Sequence, residues 1–371
     1  MSLLPDIAQL RAGVPSLKPT NIDDRNLDKN SLILKPSAPQ TPYTSRKNKN
    51  KEAVHWGQLK LLLSEIAFLT YFWDKTKNPN PVVVYAGAAP GHHIPTLINL
   101  FPDVRAWYLY DGRDIIVNQV PDKVVVNSNT LFTDDIAKFF NSHDIFKNNV
   151  FFISDIRTAS FKTMTDRENE NAIIKDQEMQ KKWVELMQPV AAMLKFRLPW
   201  PDRGQERYQN YFDGLVMKQV WEPPTSTETR LIVVKQPDGT YKNIDWDIIT
   251  YQDQMFHHNA IVREQREYKS EYYQGGDMLD GELIDDYDSM MTLQILGDYL
   301  KRRNVEPTQN NIINLYAYIL KTLNNDLTSD RKPTNPTQLI SLQALRKTGK
   351  DKLKYKDMNR WLLEQVQETY E

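Results

Sequence analysis

The spacing of apolar and polar positions divides the chain into stretches of different period. In "HWGQLKLLLSEIAFLTYFWDK", Leu59, Leu62, Leu63, Ile66 and Leu69 recur at helical spacing, which predicts a long amphipathic helix. Short, unbroken apolar runs follow. "PVVVYAG", "VRAWYLYDG", "KVVVNS" and "NVFFISD" read as strands, with helices at "HIPTLINLF" and "TDDIAKFFN". A longer helix is predicted over "NENAIIKDQEMQKKWVELMQ", then three strand-like runs, "AAMLKFRL", "GLVMKQVW" and "TRLIVVK". Strands without alternation are covered on both faces, so the pattern predicts an α/β fold with a mostly parallel sheet between helices. Beyond about residue 244 the chain reads as helical, in "DWDIITYQDQMFHHNAIVRE", "SMMTLQILGDYLKR", "NNIINLYAYILKTL" and a last charged helix near "YKDMNRWLLEQVQE". The first stretch is rich in Pro, Ser, Asn and charge and reads as irregular. The expected division is an irregular arm over 1–50, an α/β domain over 51–265 and a helical extension over 266–371.

Composition narrows the classes. The chain has 371 residues, 40% of them hydrophobic, enough for a sizeable core. A formal net charge of −1 argues against nucleic-acid binding by bulk electrostatics but leaves room for a local basic groove. The absence of cysteine removes disulfides and thiolate catalysis and suits a reducing compartment. "MSLLPDIAQLRAGVPS" lacks the pattern of a secretory signal, and no window approaches the ~20 apolar residues of a membrane helix, so a soluble intracellular protein is expected. The six histidines form no helical H-x-x-x-H pair, and no metal site is expected. "DMLDGELIDDYD" fails the calcium-loop spacing and reads as a solvated loop.

The turn "YAGAAPGHH" joins a predicted strand to a predicted helix. Its glycines, Gly87 and Gly91, are spaced G-x-x-x-G rather than G-x-G-x-x-G, and no Lys-Ser/Thr follows. A turn that allows close backbone approach with little provision for phosphate suits a nucleoside without pyrophosphate, of which S-adenosylmethionine is the leading candidate. Asp111, about 20 residues on at the end of the next strand, stands where ribose hydroxyls are bound. A plain strand-to-helix turn with a loop aspartate explains these two features equally well.

Four further residues add chemistry: Lys60, Asp155, Lys195 and Glu228. Asp155 and Lys195 fall near the carboxyl ends of predicted strands, where open parallel sheets place their sites. Such a set suits methyl transfer to a ribose 2′-hydroxyl, a weak acid that must lose its proton as it attacks. Desolvation and a second lysine would lower the pKa of the base, and the carboxylates would oppose that shift. Lys195 is assigned as the base, Asp155 and Glu228 as orienting groups, and Lys60 as a positioning cation. Each alone is more commonly a surface charge.

In "GQLKLLL", "VVYAGAAPGHH", "YDGR", "ISDIR", "PVAAMLKFRLPWPD", "ETRL" and "NAIVR", the chain resembles the poxvirus-type cap-specific mRNA 2′-O-methyltransferase family, whose members also serve as poly(A) polymerase stimulatory subunits. The resemblance covers roughly residues 55–265. It implies a Rossmann-like methyltransferase sheet with an N-terminal arm and a helical C-terminal extension, and a catalytic tetrad of Lys60, Asp155, Lys195 and Glu228. It places Gln58, Tyr85, Gly87, Gly91, His93, Asp111 and Arg113 around S-adenosylmethionine, with Phe132 and Thr133 near the adenine. A histidine opening a helix, like His93, is otherwise a capping or packing residue. For the cap, Trp200 and Asp202 match an aromatic and an acidic contact, and Tyr43 is taken as the second ring. N7-methylguanine is cationic and suits aromatic faces and carboxylates. The family's other carboxylate falls on Gln252, an amide, which puts cap selectivity in question and keeps open an activity on uncapped RNA. Arg157, Arg197 and Arg230 are candidates for RNA phosphate contacts. The implied partners are capped mRNA and a poly(A) polymerase catalytic subunit, and the implied setting is cytoplasmic, in a viral factory or virion.

Overall fold

A computed structural model describes residues 32–44, 57–117, 122–160, 162–200, 206–223, 225–265, 268, 270–272, 278–279, 282–283 and 286–326. Asp202, the "RKNKNK" run and the last predicted helix lie outside the described residues.

The elements in chain order begin with β1 (Ile33–Leu34), α1 (Gly57–Phe72), β2 (Val82–Ala86), α2 (Ile94–Leu100), β3 (Ala106–Tyr110) and β4 (Val124–Asn127). There follow α3 (Asp134–Ser142), β5 (Val150–Ser154), α4 (Asp166–Met187), β6 (Ala191–Phe196), β7 (Tyr208–Phe212), β8 (Leu215–Met217), β9 (Thr229–Val234) and β10 (Asn243–Asp247). Further along the described residues come α5 (Ile248–His257), α6 (Tyr287–Arg302) and α7 (Gln309–Asp326). Among the described residues, one eight-stranded sheet runs in the order β1-β8-β9-β6-β5-β2-β3-β4. Strands β6, β5, β2, β3 and β4 are parallel, while β9, β8 and β1 are antiparallel additions.

The valine run of β2 shows why the sheet has no polar face. Val83 and Tyr85 belong to one core cluster, whereas Val82, Val84 and Ala86 belong to the other. Successive side chains leave opposite faces of a strand, so both faces must be covered. Helices α1, α2, α6 and α7 cover the first face; α3, α4 and α5 cover the second. The C-terminal helices therefore share a core with the sheet: Met290, Met291 and Leu296 pack in one cluster with Leu62, Leu63 and Ile66.

The structure departs from the sequence reading in several places. Part of the stretch expected to be an irregular arm forms β1, which pairs with β8 through Ile33↔Met217. The stretch that opens the expected C-terminal helix is instead β10, paired with β7. Helix α4 begins ahead of its predicted start, at a capping box in which Thr165 and Glu168 satisfy each other's backbone N–H groups. The "GLVMKQVW" strand ends at Met217, and the backbone turns at Trp221 with φ +60°.

Candidate active site

The parallel strands run outward from the pair β2 and β5 in opposite directions of chain order, which makes that pair the topological switch point, where open sheets bind ligands. At its carboxyl edge stand Gly87 after β2 and Asp155 after β5. The Asp155 amide donates to the Ala86 carbonyl at 2.9 Å. Gly87 has φ +86°, and a Cβ there would lie 2.7 Å from the Asp155 carbonyl carbon. The glycine is what lets the two strand ends approach.

Antiparallel pairing of β6 with β9 sets Lys195 opposite Arg230, so Glu228, just before β9, comes beside Lys195. Lys195 Nζ lies 3.1 Å from Asp155 Oδ1 and 3.6 Å from Glu228 Oε2. Lys60, from α1, donates to Glu228 Oε1 at 2.9 Å. The four residues expected to act together are brought together, each partly open to solvent.

Two arginines join them. Arg157 donates to Glu228 Oε2 at 3.2 Å, and Arg230 Nη1 is 2.7 Å from Asp155 Oδ1. Burial lowers the pKa of Lys195 below its ordinary value; Arg157 and Arg230 push the same way, against Asp155 and Glu228. Burial alone would raise the Glu228 carboxyl, yet the cations around it hold it well below the usual range. Asp155 is lowered by the same balance. The site therefore favours ionised carboxylates beside a lysine that releases its proton readily.

Arg230 corrects a sequence expectation. Its side chain is 1% exposed and paired inside the site, so it does not reach RNA phosphate. Arg197 is buried as well: its Nη2 donates to both carboxylate oxygens of Glu170 at 2.8 Å. Both arginines balance internal carboxylates. Of the three RNA candidates, Arg157 alone keeps partial exposure.

The glycine turn bears on the cofactor. The Gly87 and Ala88 amides donate to the Tyr110 carbonyl at 2.9 and 3.1 Å. The Ala89 amide donates to Asp111 Oδ2 at 3.0 Å. Amides bonded within the protein do not form an anion cradle, so a pyrophosphate does not fit this turn. A nucleoside without phosphates fits. Asp111 follows β3 as expected; its Oδ1 accepts from the Arg113 amide at 2.9 Å.

Several expected cofactor residues have other immediate partners. Tyr85 and His93 are buried beneath the turn: the Tyr85 hydroxyl donates to Glu65 Oε1 at 2.7 Å, and His93 Nε2 lies 2.9 Å from the same oxygen. His93 Nδ1 is 3.0 Å from Gln58 Oε1. His93 holds Gln58, and Tyr85 shares the Glu65 oxygen with His93, so neither side chain lines an open pocket. The Phe132 ring packs into the core against Tyr110, Phe152 and Trp183, and Thr133 caps α3 by accepting from the Ile136 amide. The Phe132 ring is buried and not left for an adenine, whereas Thr133 is exposed and Leu131 beside Gly112 is 72% exposed. An apolar residue in the polar loop "SNTLFT" was the signal for it.

Tyr43 and Trp200 are in contact, with ring centroids 5.2 Å apart, and Phe256 lies 5.3 Å from Tyr43. A purine enters between the first two rings only when Tyr43 swings outward. Gln252 is half-buried. A carboxylate is nonetheless present one position along, on Asp253, whose Oδ1 accepts from the Tyr43 amide at 3.0 Å. The sequence reading missed Asp253 because the arm that meets it is distant along the chain.

A family model described as poly A polymerase regulatory subunit matches residues 27–325. The chain belongs to this family. A fowlpox virus (strain NVSL) protein named cap-specific mRNA (nucleoside-2′-O-)-methyltransferase is 32% identical over 226 residues, covering 58% of this chain and 70% of that protein. A myxoma virus (strain Lausanne) protein of the same name is 30% identical over 223 residues, covering 57% of this chain and 63% of its own. The matched family span includes all the tetrad residues and the paired arm.

Proposed function

We propose that the chain methylates the ribose 2′-oxygen of the first transcribed nucleotide of N7-methylguanosine-capped mRNA, converting cap 0 to cap 1. The observation that carries this reading is Lys195 at the switch-point edge, 3.1 Å from Asp155 and drawn below the ordinary lysine pKa. The names of the fowlpox and myxoma relatives support the same class of reaction.

S-adenosylmethionine supplies, when bound, an electrophilic sulfonium methyl. Gln58, Gly87, Gly91, Asp111 and Arg113 are the residues that would hold it, with Tyr85 and His93 bracing them from below. Lys195 Nζ takes the proton of the 2′-hydroxyl as the oxygen attacks, and the ammonium so formed is stabilised by Asp155 and Glu228. Lys60 and Arg157 hold Glu228 from either side, so its carboxylate does not swing away. The cap is gripped by Trp200 and Tyr43, with Asp253 and Gln252 available to the guanine edge. Arg157 is positioned for the RNA backbone.

The test is transfer of labelled methyl to matched RNAs with an N7-methylated cap, an unmethylated cap or a bare 5′ end, the product being located by nuclease digestion. Label at the first 2′-oxygen, only on the methylated cap, is expected, and Lys195→Met should lower it by about 10²–10⁴-fold. Equal label on bare RNA would discard the cap specificity.

The family description favours a second role, stimulation of a poly(A) polymerase catalytic subunit. Lys195→Met should lower methyl transfer to that extent and leave that stimulation in place; loss of both in a folded protein would refute separate surfaces.

A further inference from the structure

A helix lying on a sheet ordinarily turns an apolar stripe toward it. The buried face of α4 also carries Asn169, Glu170, Asp176, Gln177 and Gln180, each at most 2% exposed. Buried polar groups are costly unless hydrogen-bonded, and three of these bond to one neighbouring stretch of backbone. Gln180 Nε2 donates to the Lys195 carbonyl at 3.1 Å, and Gln177 Nε2 donates to the Arg197 carbonyl at 3.0 Å. Glu170 Oε2 accepts from the Trp200 amide at 3.0 Å while its carboxylate holds the Arg197 guanidinium. Asp176 ties down the loop beyond Asp155, accepting from the Thr158 amide at 2.9 Å.

The lengths agree. Ten helical residues, from 170 to 180, rise about 15 Å at ~1.5 Å each. Five residue steps, from 195 to 200, reach about 16 Å when fully extended at ~3.3 Å each, although the strand itself ends at Phe196. The two segments run in opposite directions with matched ends, and the bonds between them go mainly to backbone atoms. The stretch pinned in this way begins at the proposed base and ends at the proposed cap-stacking ring.

We propose that this polar seam is a ruler: Glu170, Gln177 and Gln180 fix the distance from Trp200 to Lys195, and with it which nucleotide after the cap presents its 2′-oxygen to the base. The inference rests on the cap-dependent reaction proposed above. A displacement of about 1 Å at a reacting atom costs on the order of a hundredfold in rate, so a stretch held at three points selects sharply. These are positioning residues, acting through Trp200 and Lys195.

The test uses the full chain with Glu170→Ala, and with Gln177→Met as a milder variant of similar volume. Two quantities are read: the ratio of kcat/KM on capped to bare RNA, and the position of the transferred methyl. For Glu170→Ala the ratio should fall at least about tenfold and part of the methyl should appear on the second nucleotide, while KM for S-adenosylmethionine stays within about twofold. Gln177→Met should show the same change to a smaller degree. Equal loss on capped and bare RNA with the methyl still on the first nucleotide would make the seam merely structural and overturn the ruler. So would variants that behave as wild type. A wild-type protein without cap preference would instead overturn the reaction proposed above.

Discussion

Replacing Arg230 by methionine removes a fully buried cation from the centre of the site and leaves its volume nearly unchanged. Arg230 Nη1 and Lys195 Nζ contact the same Asp155 oxygen at 2.7 and 3.1 Å, which places the two nitrogens within about 6 Å of each other. Two like charges at that separation repel by about 3 kcal/mol at an effective dielectric near 20. That repulsion favours the neutral form of Lys195, and its loss lowers the neutral fraction roughly a hundredfold at a fixed pH below the midpoint. The kcat of Arg230→Met should therefore fall about a hundredfold near neutral pH and recover as the pH is raised. The rising limb of its pH profile would be displaced to higher pH, whereas Arg230→Lys should keep most of the wild-type profile. Stability should also fall, by about 3 kcal/mol, the low end for an orphaned buried partner, because Lys195 still neutralises Asp155. The assay is single-turnover methyl transfer from pH 6.5 to 10, with urea unfolding in parallel. A rising limb that stays in place, or moves to lower pH, would refute the reasoning.

Other outcomes follow from the same geometry. Gly87→Ala should cost about 1–2 kcal/mol from its left-handed φ alone; the new Cβ, 2.7 Å from the Asp155 carbonyl carbon, should displace Asp155 and lower methyl transfer on the order of a hundredfold. A normal rate would show that the close approach of the strand ends is dispensable. Arg263 is buried and bonded through Nη2 to Asp288 at 2.7 Å, so Arg263→Met should destabilise by about 3–5 kcal/mol in urea unfolding; a change below ~1 kcal/mol would contradict this. Burial holds the Glu222 carboxyl well above its ordinary value of 4.5. The folded state thus keeps a proton that the unfolded state releases, and this contribution is full below pH 4.5 and is lost as pH rises toward the folded value. Glu222→Gln cannot ionise, so its urea midpoint should fall less between pH 5 and pH 8 than that of wild type; parallel falls would exclude Glu222 as the cause.

The elements with a local cause were legible in the sequence. "PVVVYAG" is apolar at every early position because both faces of a central parallel strand are covered, and the glycine after it is required because φ is positive there and the Asp155 backbone leaves no room for a Cβ. Asp155 and Lys195 were legible because carboxyl ends of parallel strands converge, whereas Lys60, on α1, and Glu228, ahead of the antiparallel β9, have no such positional cause. Features that depend on pairing were not legible. No local signal marks Arg230 and Arg197 as internal counter-ions: an arginine two residues from Glu228 or from Lys195 reads as solvent-facing until the fold buries it. "YQNYF" and "NIDWD", separated by two strands of the main sheet, form an antiparallel pair only because they meet each other in the fold, and Asp253 gains its place by Tyr43 only when the arm crosses α5. Sequence by itself determined the central parallel strands and the glycine turn, since hydrophobic period and backbone conformation act within a few residues. Tertiary structure decided which charges face each other and how far Trp200 stands from Lys195, because burial and Coulomb energy depend on distances that the chain sets only once folded.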